Sequence, residues 1–161
     1  MIKLVFIMET RSAVRSDWMY IKSAIDYFYR PRTFALDKIF ASSKGELIKQ
    51  DKKLESKKND KNREFKIIIV ADYDREEEIN DRIKKYCEKQ DFDLVWMNLD
   101  VEDVFLGKQI KNKDKKTEAI KFQARKLDLI PKLKGLENPN PLTKRNSTNL
   151  LLVLDKYIER N

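Results

Sequence analysis

The sequence predicts an α/β fold, a mostly parallel sheet of about four strands with helices on both faces and a helix at the C-terminal end. Three observations predict it. Short apolar runs rich in β-branched and aromatic residues recur at 3–8, 34–41, 65–71 and 92–97, each the length of a buried strand. Stretches with apolar residues at helical spacing separate them, and this alternation is the pattern of a parallel sheet covered on both sides. The size also fits, since 161 residues with 41% hydrophobic content can build one core. One domain is expected, with its core over about 1–107 and a helical and loop extension over 108–161.

The elements follow in order. The run "KLVFIM" ends at Glu9, and "TRSAVR" makes a polar turn. Ser16 is placed to cap a helix with Asp17 in its first turn. Trp18, Ile21, Ile25 and Phe28 continue that helix at its own period, and Pro31 stops it. "FALDKIFA" is the second strand. Ser43 and Glu46 stand at capping-box spacing and predict a charged helix that fades into the basic loop "KLESKKNDKNR". "FKIIIVA" is the strongest strand of the chain. The helix after it, from about Glu76, puts Ile79, Ile83 and Tyr86 or Cys87 on one face. "FDLVWM" is the fourth strand and leads into the acidic "NLDVEDVFLG". Ile120, Ala124 and Leu127 suggest a further helix, "GLENPNPLTKRN" a loop, and Ser147 the cap of a last helix with Leu151, Leu154 and Ile158 as its stripe.

Composition narrows the chemistry. The chain has 35 basic and 27 acidic residues, a net charge of 35 − 27 = +8, which favours nucleic acid or another polyanion as partner. A protein partner or a second copy of the chain stays open. Histidine is absent, which removes histidine general bases. Cys87 is the one cysteine, so there is no disulfide framework or cysteine metal cage. A metal here would need oxygen ligands, which favours Mg²⁺ or Mn²⁺. The first apolar run, Leu4 to Met8, is too short for a signal peptide or a membrane span. The expectation is a soluble cytoplasmic protein with no membrane partner.

Sites in open α/β sheets form outside the carboxyl ends of the strands. Three acidic features fall there: Glu9 after the first strand, Asp72 and Asp74 after the third, and Glu102 and Asp103 after the fourth. Residues two apart in a strand share a face, so Asp72 and Asp74 are expected in one crevice with Glu76 close by. Tyr73, between them, is expected to point away. Crowded carboxylates repel unless a cation lies between them, and Mg²⁺ or Mn²⁺ would supply that charge and bind a phosphate oxygen. Ordinary turn and helix-start roles are the alternative for each acid taken alone.

The segment "DYDREEE", with Glu9 upstream, resembles the D-x-D-R-E-G-E segment of the Toprim domain, found in type IA topoisomerases, bacterial primases, OLD-type and RloB-like nucleases and small ribosomal RNA maturases. The resemblance spans roughly residues 1–107. It implies that Asp72 and Asp74 bind Mg²⁺ with Glu76 assisting, and that Glu9 is a metal ligand or the general acid/base. Glu102 and Asp103 are similar to the acids that help hold a second metal in RloB-like and OLD-type proteins. Thr10 and Glu77 stand where the family carries glycine. The implied activity is Mg²⁺-dependent, nuclease-type phosphoryl transfer on RNA or DNA, in phage defence or RNA processing.

Basic residues complete the expected site. Arg11 and Arg15 follow Glu9, Arg75 lies beside Asp74, and Lys44 and Lys108 belong to the lysine-rich stretches that flank the strands. All five are expected to contact phosphates. Two further readings stand beside the nuclease: a catalytically silent Toprim-like subunit that binds nucleic acid or protein, which Thr10 and Glu77 favour, and, more weakly, a receiver-like signalling domain.

Overall fold

The computed structural model describes residues 1–9 and 15–161. The strands β1 (Ile2–Glu9), β2 (Phe34–Ala41), β3 (Glu64–Tyr73) and β4 (Asp93–Asn98) form one sheet in the order β2-β1-β3-β4. All three pairings are parallel. The helices are α1 (Ser16–Phe28), α2 (Asp51–Lys57), α3 (Glu77–Gln90), α4 (Val101–Leu106), α5 (Lys115–Ala124), α6 (Lys126–Leu129) and α7 (Leu150–Leu154).

Strand alternation builds two cores. Leu4, Phe6, Met8, Ile68, Val70, Val95 and Met97 point to one face, where Tyr20, Ile21, Phe105, Phe122 and Leu150 meet them. Val5, Ile7, Ile39, Ile67, Ile69, Ala71 and Trp96 point to the other, under Leu47, Leu54, Ile83 and Cys87. Each fully buried large side chain contributes about 1.5–3 kcal/mol. The segment after residue 107 is thus part of the cover of one face. Among the described residues, no helix is long and apolar enough to cross a membrane.

The chain leaves β1 toward β2 and then returns past it to β3. The order therefore reverses between β1 and β3, and the crevice at their carboxyl ends is where open α/β sheets take ligands.

The helix starts differ from the sequence expectation. Ser16 is the first residue of α1, preceded by Arg15 in the left-handed conformation at φ 52°, and no side chain caps the helix. After Ser43 the chain makes a 3₁₀ turn, Lys44–Ile48, and α2 starts anew at Asp51. The Ser147 hydroxyl donates to the carbonyls of Pro141 and Lys144 instead of capping α7. In α5 the buried side chains are Ala119 and Phe122, and the expected stripe residues Ile120 and Leu127 are exposed. Polar residues on all sides of that stretch left its inward face ambiguous in the sequence.

The outer edge of β4 is covered by residues 147–149. Asn98 N donates to Ser147 O at 3.0 Å. The Asn149 side chain accepts from Trp96 N at 2.9 Å and donates to Leu94 O at 3.0 Å. This loop rests on Gly135, whose carbonyl accepts from Thr148 N at 2.7 Å.

Candidate metal centre

Carboxylates from two strand ends and two helix starts gather at the β1/β3 crevice. Asp72 lies on β3 opposite Met97 of β4, on the face covered by α1. Its carboxyl is pushed well up, first by burial and then by Asp17, Asp100, Glu9 and Glu102. Asp17, in the first turn of α1, is pushed up to about 7 by burial and by Glu102, Glu9 and Asp100, with Lys115 opposing. At neutral pH its carboxyl is therefore divided between its two protonation states. Glu102, in the first turn of α4, is raised chiefly by burial, against the pull of Lys115.

Among the described residues, two buried polar atoms at this cluster have no hydrogen-bond partner. Glu102 Oε1 is one, with the Lys115 ammonium 3.7 Å away. The Tyr20 hydroxyl is the other. Its ring packs between Phe105 and Phe122, and its acidity is lowered by burial and by Glu102, Glu118, Asp17 and Asp100. Buried polar atoms are rarely left unpaired without a functional reason.

No protein-family model matches the chain. No curated protein matches it either. What the site can do must therefore be argued from its own chemistry.

The expected ligand set is only partly brought together. Glu9 and Asp72 join the cluster, as does Glu102. Asp74, expected in the same crevice, has its carboxylate engaged elsewhere. The strand ends at Tyr73, the backbone turns, and the alternation of faces ends with it. Asp74 Oδ1 instead accepts from Glu76 N at 3.0 Å and from Lys44 Nζ at 2.8 Å. Burial would raise the Asp74 carboxyl, but these two donors hold it below the usual range. Glu76 is exposed at the start of α3, where its backbone N–H serves Asp74. Tyr73 packs edge-on against Trp96 on the opposite face. Asp103 is fully buried beside Arg145, 3.4 Å away.

Among the basic residues, Lys44 is buried and engaged with Asp74, so it is no open phosphate contact. Arg75 and Lys108 are exposed. Arg15 is exposed too and lies over the Phe40 ring at 4.8 Å. Arg11 falls outside the described residues.

Sequence reasoning missed Asp17 and Asp100. Asp17 looks like any acid meeting a helix dipole, and Asp100 is the N-cap of α4, accepting from Asp103 N at 2.8 Å. The signal available was positional. Both sit within one turn of a helix start that opens on the carboxyl edge of the sheet.

The donor set fits a hard divalent cation: all carboxylates, one opposing ammonium, and one buried carboxylate oxygen without a partner. Glu9, Asp17, Asp72 and Glu102 would hold it. Among the described residues, no three of them are already drawn to ligand spacing, so the side chains would close onto the ion. Adding Mg²⁺ or Mn²⁺ is accordingly expected to raise the melting temperature, by about 2.7 kcal/mol of stability at a hundredfold excess over Kd. The rise should be larger at pH 8 than at pH 5.5, because protons compete for the same oxygens. Differential scanning fluorimetry with and without EDTA checks this; equal shifts at both pH values would oppose it.

Proposed function

We propose that the protein is a Toprim-like hydrolase that performs divalent-metal-dependent phosphoryl transfer on nucleic acid. The observation that carries this reading is the gathering of Glu9, Asp17, Asp72, Asp100 and Glu102 at the switch point of the sheet, beside two buried polar atoms without a hydrogen bond among the described residues. Perturbed acids grouped in a crevice mark functional sites more often than structural ones. A divalent cation there would supply positive charge to a scissile phosphate and lower the pKa of an attacking water. Within the cluster, burial disfavours the charged forms of Asp72 and Glu102, and a bound cation would restore them as its ligands. Glu9 and Asp17 are the acids available to take a proton from water and return it to a leaving oxygen. Arg75 and Lys108 are exposed cations suited to a phosphate backbone. RNA processing and phage defence are the settings that the Toprim resemblance suggests.

One observation favours a second reading, a silent binding subunit: the Lys44–Asp74 pair occupies one of the two aspartates the Toprim pattern uses for metal. Cleavage of end-labelled RNA and DNA with Mg²⁺ or Mn²⁺ separates the two. The hydrolase reading expects cleavage by the parent and its loss in Asp72→Ala and in Glu9→Ala. Unchanged cleavage in both variants would overturn the site. Tight binding by the parent without cleavage would favour the subunit.

A further inference from the structure

A groove lies along β2, an edge strand of the sheet. About 400 Å³ of it is lined by Arg15, Lys38, Phe40, Lys53 and Lys57, with Asp37 as its acid. Asp37 is already neutralised: despite burial, Lys57 at 2.9 Å and Lys3 at 3.0 Å hold its carboxyl down to about 2. A second hollow of about 690 Å³ continues past Phe40 and Lys53 to Lys49 and Lys52, with Glu46 and Asp51 also in its lining; Glu46 is paired with Lys49 at 3.5 Å and Asp51 accepts from the Tyr86 hydroxyl at 3.0 Å. Among the described residues, Arg15, Lys38, Lys52 and Lys53 make no ion pair. Phe40 stands between the two hollows, half-buried, with the Arg15 guanidinium over its ring at 4.8 Å. Lys38 lies over Trp18 at 5.3 Å.

The register connects this groove to the carboxylates. Phe40 pairs with Met8 of β1, and the next pair is Ala41 with Glu9. The track therefore begins one residue from the acidic crevice and runs down the sheet edge away from it. A row of cations follows a phosphate backbone, and an accessible aromatic face beside it stacks a base. A duplex keeps its base faces hidden and could use only the cations.

We propose that the β2 edge groove binds a single strand of nucleic acid, with a base stacked at Phe40 and phosphates along Lys38, Lys52 and Lys53, feeding the strand toward Glu9. The proposal deepens the hydrolase reading by naming its substrate as single-stranded, but its test needs no turnover.

The test is fluorescence anisotropy of the full chain with labelled 12-nucleotide single strands of RNA and of DNA in EDTA, with a hairpin duplex and polyglutamate as competitors. Phe40→Ala is expected to weaken single-strand binding about tenfold. Lys38→Gln and Lys53→Gln should each weaken it and reduce the salt slope by about one. The RNA and DNA arms tell which strand is preferred. Parent-like binding by Phe40→Ala together with the two lysine variants would overturn the proposal, as would a duplex or polyglutamate competing as well as a single strand. Lys38→Gln and Lys53→Gln change exposed or edge positions, and a melting curve for each confirms that the variants are folded. Because cleavage is blocked by EDTA, a chain that binds but never cuts keeps the groove and loses the hydrolase. A chain that cuts while these variants bind normally does the reverse.

Discussion

Asp72→Asn is expected to raise the melting temperature of the metal-free protein while abolishing cleavage. The folded Asp72 carboxyl is held well above its ordinary value by burial and by four neighbouring acids. A raised acid favours the folded state while it keeps its proton. That contribution is full below the unfolded pKa near 4 and is lost as pH rises toward the folded value. Above that range the unfolded carboxyl gives up its proton more readily than the folded one, a cost to folding that Asn does not carry. The gain should be about 1–3 kcal/mol, or roughly 3–10 °C in a chain of this size. It should shrink to nothing near pH 4, where both side chains are neutral. Asp17, pushed up to about 7, contributes to the same loss of parent stability between pH 4 and neutrality. On the hydrolase reading cleavage should fall roughly 10²–10⁴-fold, because Asn removes a carboxylate that would hold the cation. Melting curves with EDTA from pH 4 to 8, beside a cleavage assay, check both halves. A variant less stable than the parent at pH 7.5 would mean that Asp72 is a structural acid.

Gly135→Ala is expected to be the most destabilising small substitution available. A methyl carbon there would lie 2.1 Å from the Asn146 carbonyl oxygen and 3.1 Å from Ser147 Cα. All of these neighbours are backbone, so no side chain can swing aside. The backbone is also pinned: Thr148 N donates to Gly135 O at 2.7 Å, Asn138 N to Thr148 O at 3.0 Å, and Asn98 Nδ2 to Pro141 O at 2.7 Å. Relieving the clash must break some of these bonds, and each buried one left unmade costs about 1–3 kcal/mol. Together with overpacking the loss should reach about 3 kcal/mol or more, a fall of roughly 6–12 °C. Urea unfolding of the variant measures it; a change below about 1 kcal/mol would show that the loop gives way easily. Gly45, with open space around its Cα, is the control, and Gly45→Ala should cost little.

The strands were legible because a run such as Ile67–Ile68–Ile69–Val70 has no better use than a strand buried on both faces. Placing Glu9 and Asp72 at strand ends followed from the same runs. The engagement of Asp74 was not legible, because a period of two says nothing of the turn after Tyr73, where the aspartate takes an N–H two residues on. Ser43 and Ser147 failed in a related way: their spacing suited a cap, but a 3₁₀ turn and a pair of loop carbonyls took them. Asp17 and Asp100 were invisible as site residues because both have an adequate local explanation. What draws them to Asp72 is the packing of α1 and α4 over the sheet, a long-range fact that no short motif carries.

The two borders of the sheet are treated differently, and this bears on how the chain survives in a crowded solution. The β4 border is sealed by Asn149 and its neighbours, which satisfy Trp96 N, Leu94 O and Asn98 N as a further strand would. An unsealed border of a flat sheet is a template for strands of other molecules. A chain cut before Ser147 would lose both this seal and the core residues Leu150, Leu151 and Leu154, and should gather into β-rich aggregates. The β2 border is not sealed in that way; it carries Lys38 along the strand, and like charges there oppose pairing with a second copy of the same border.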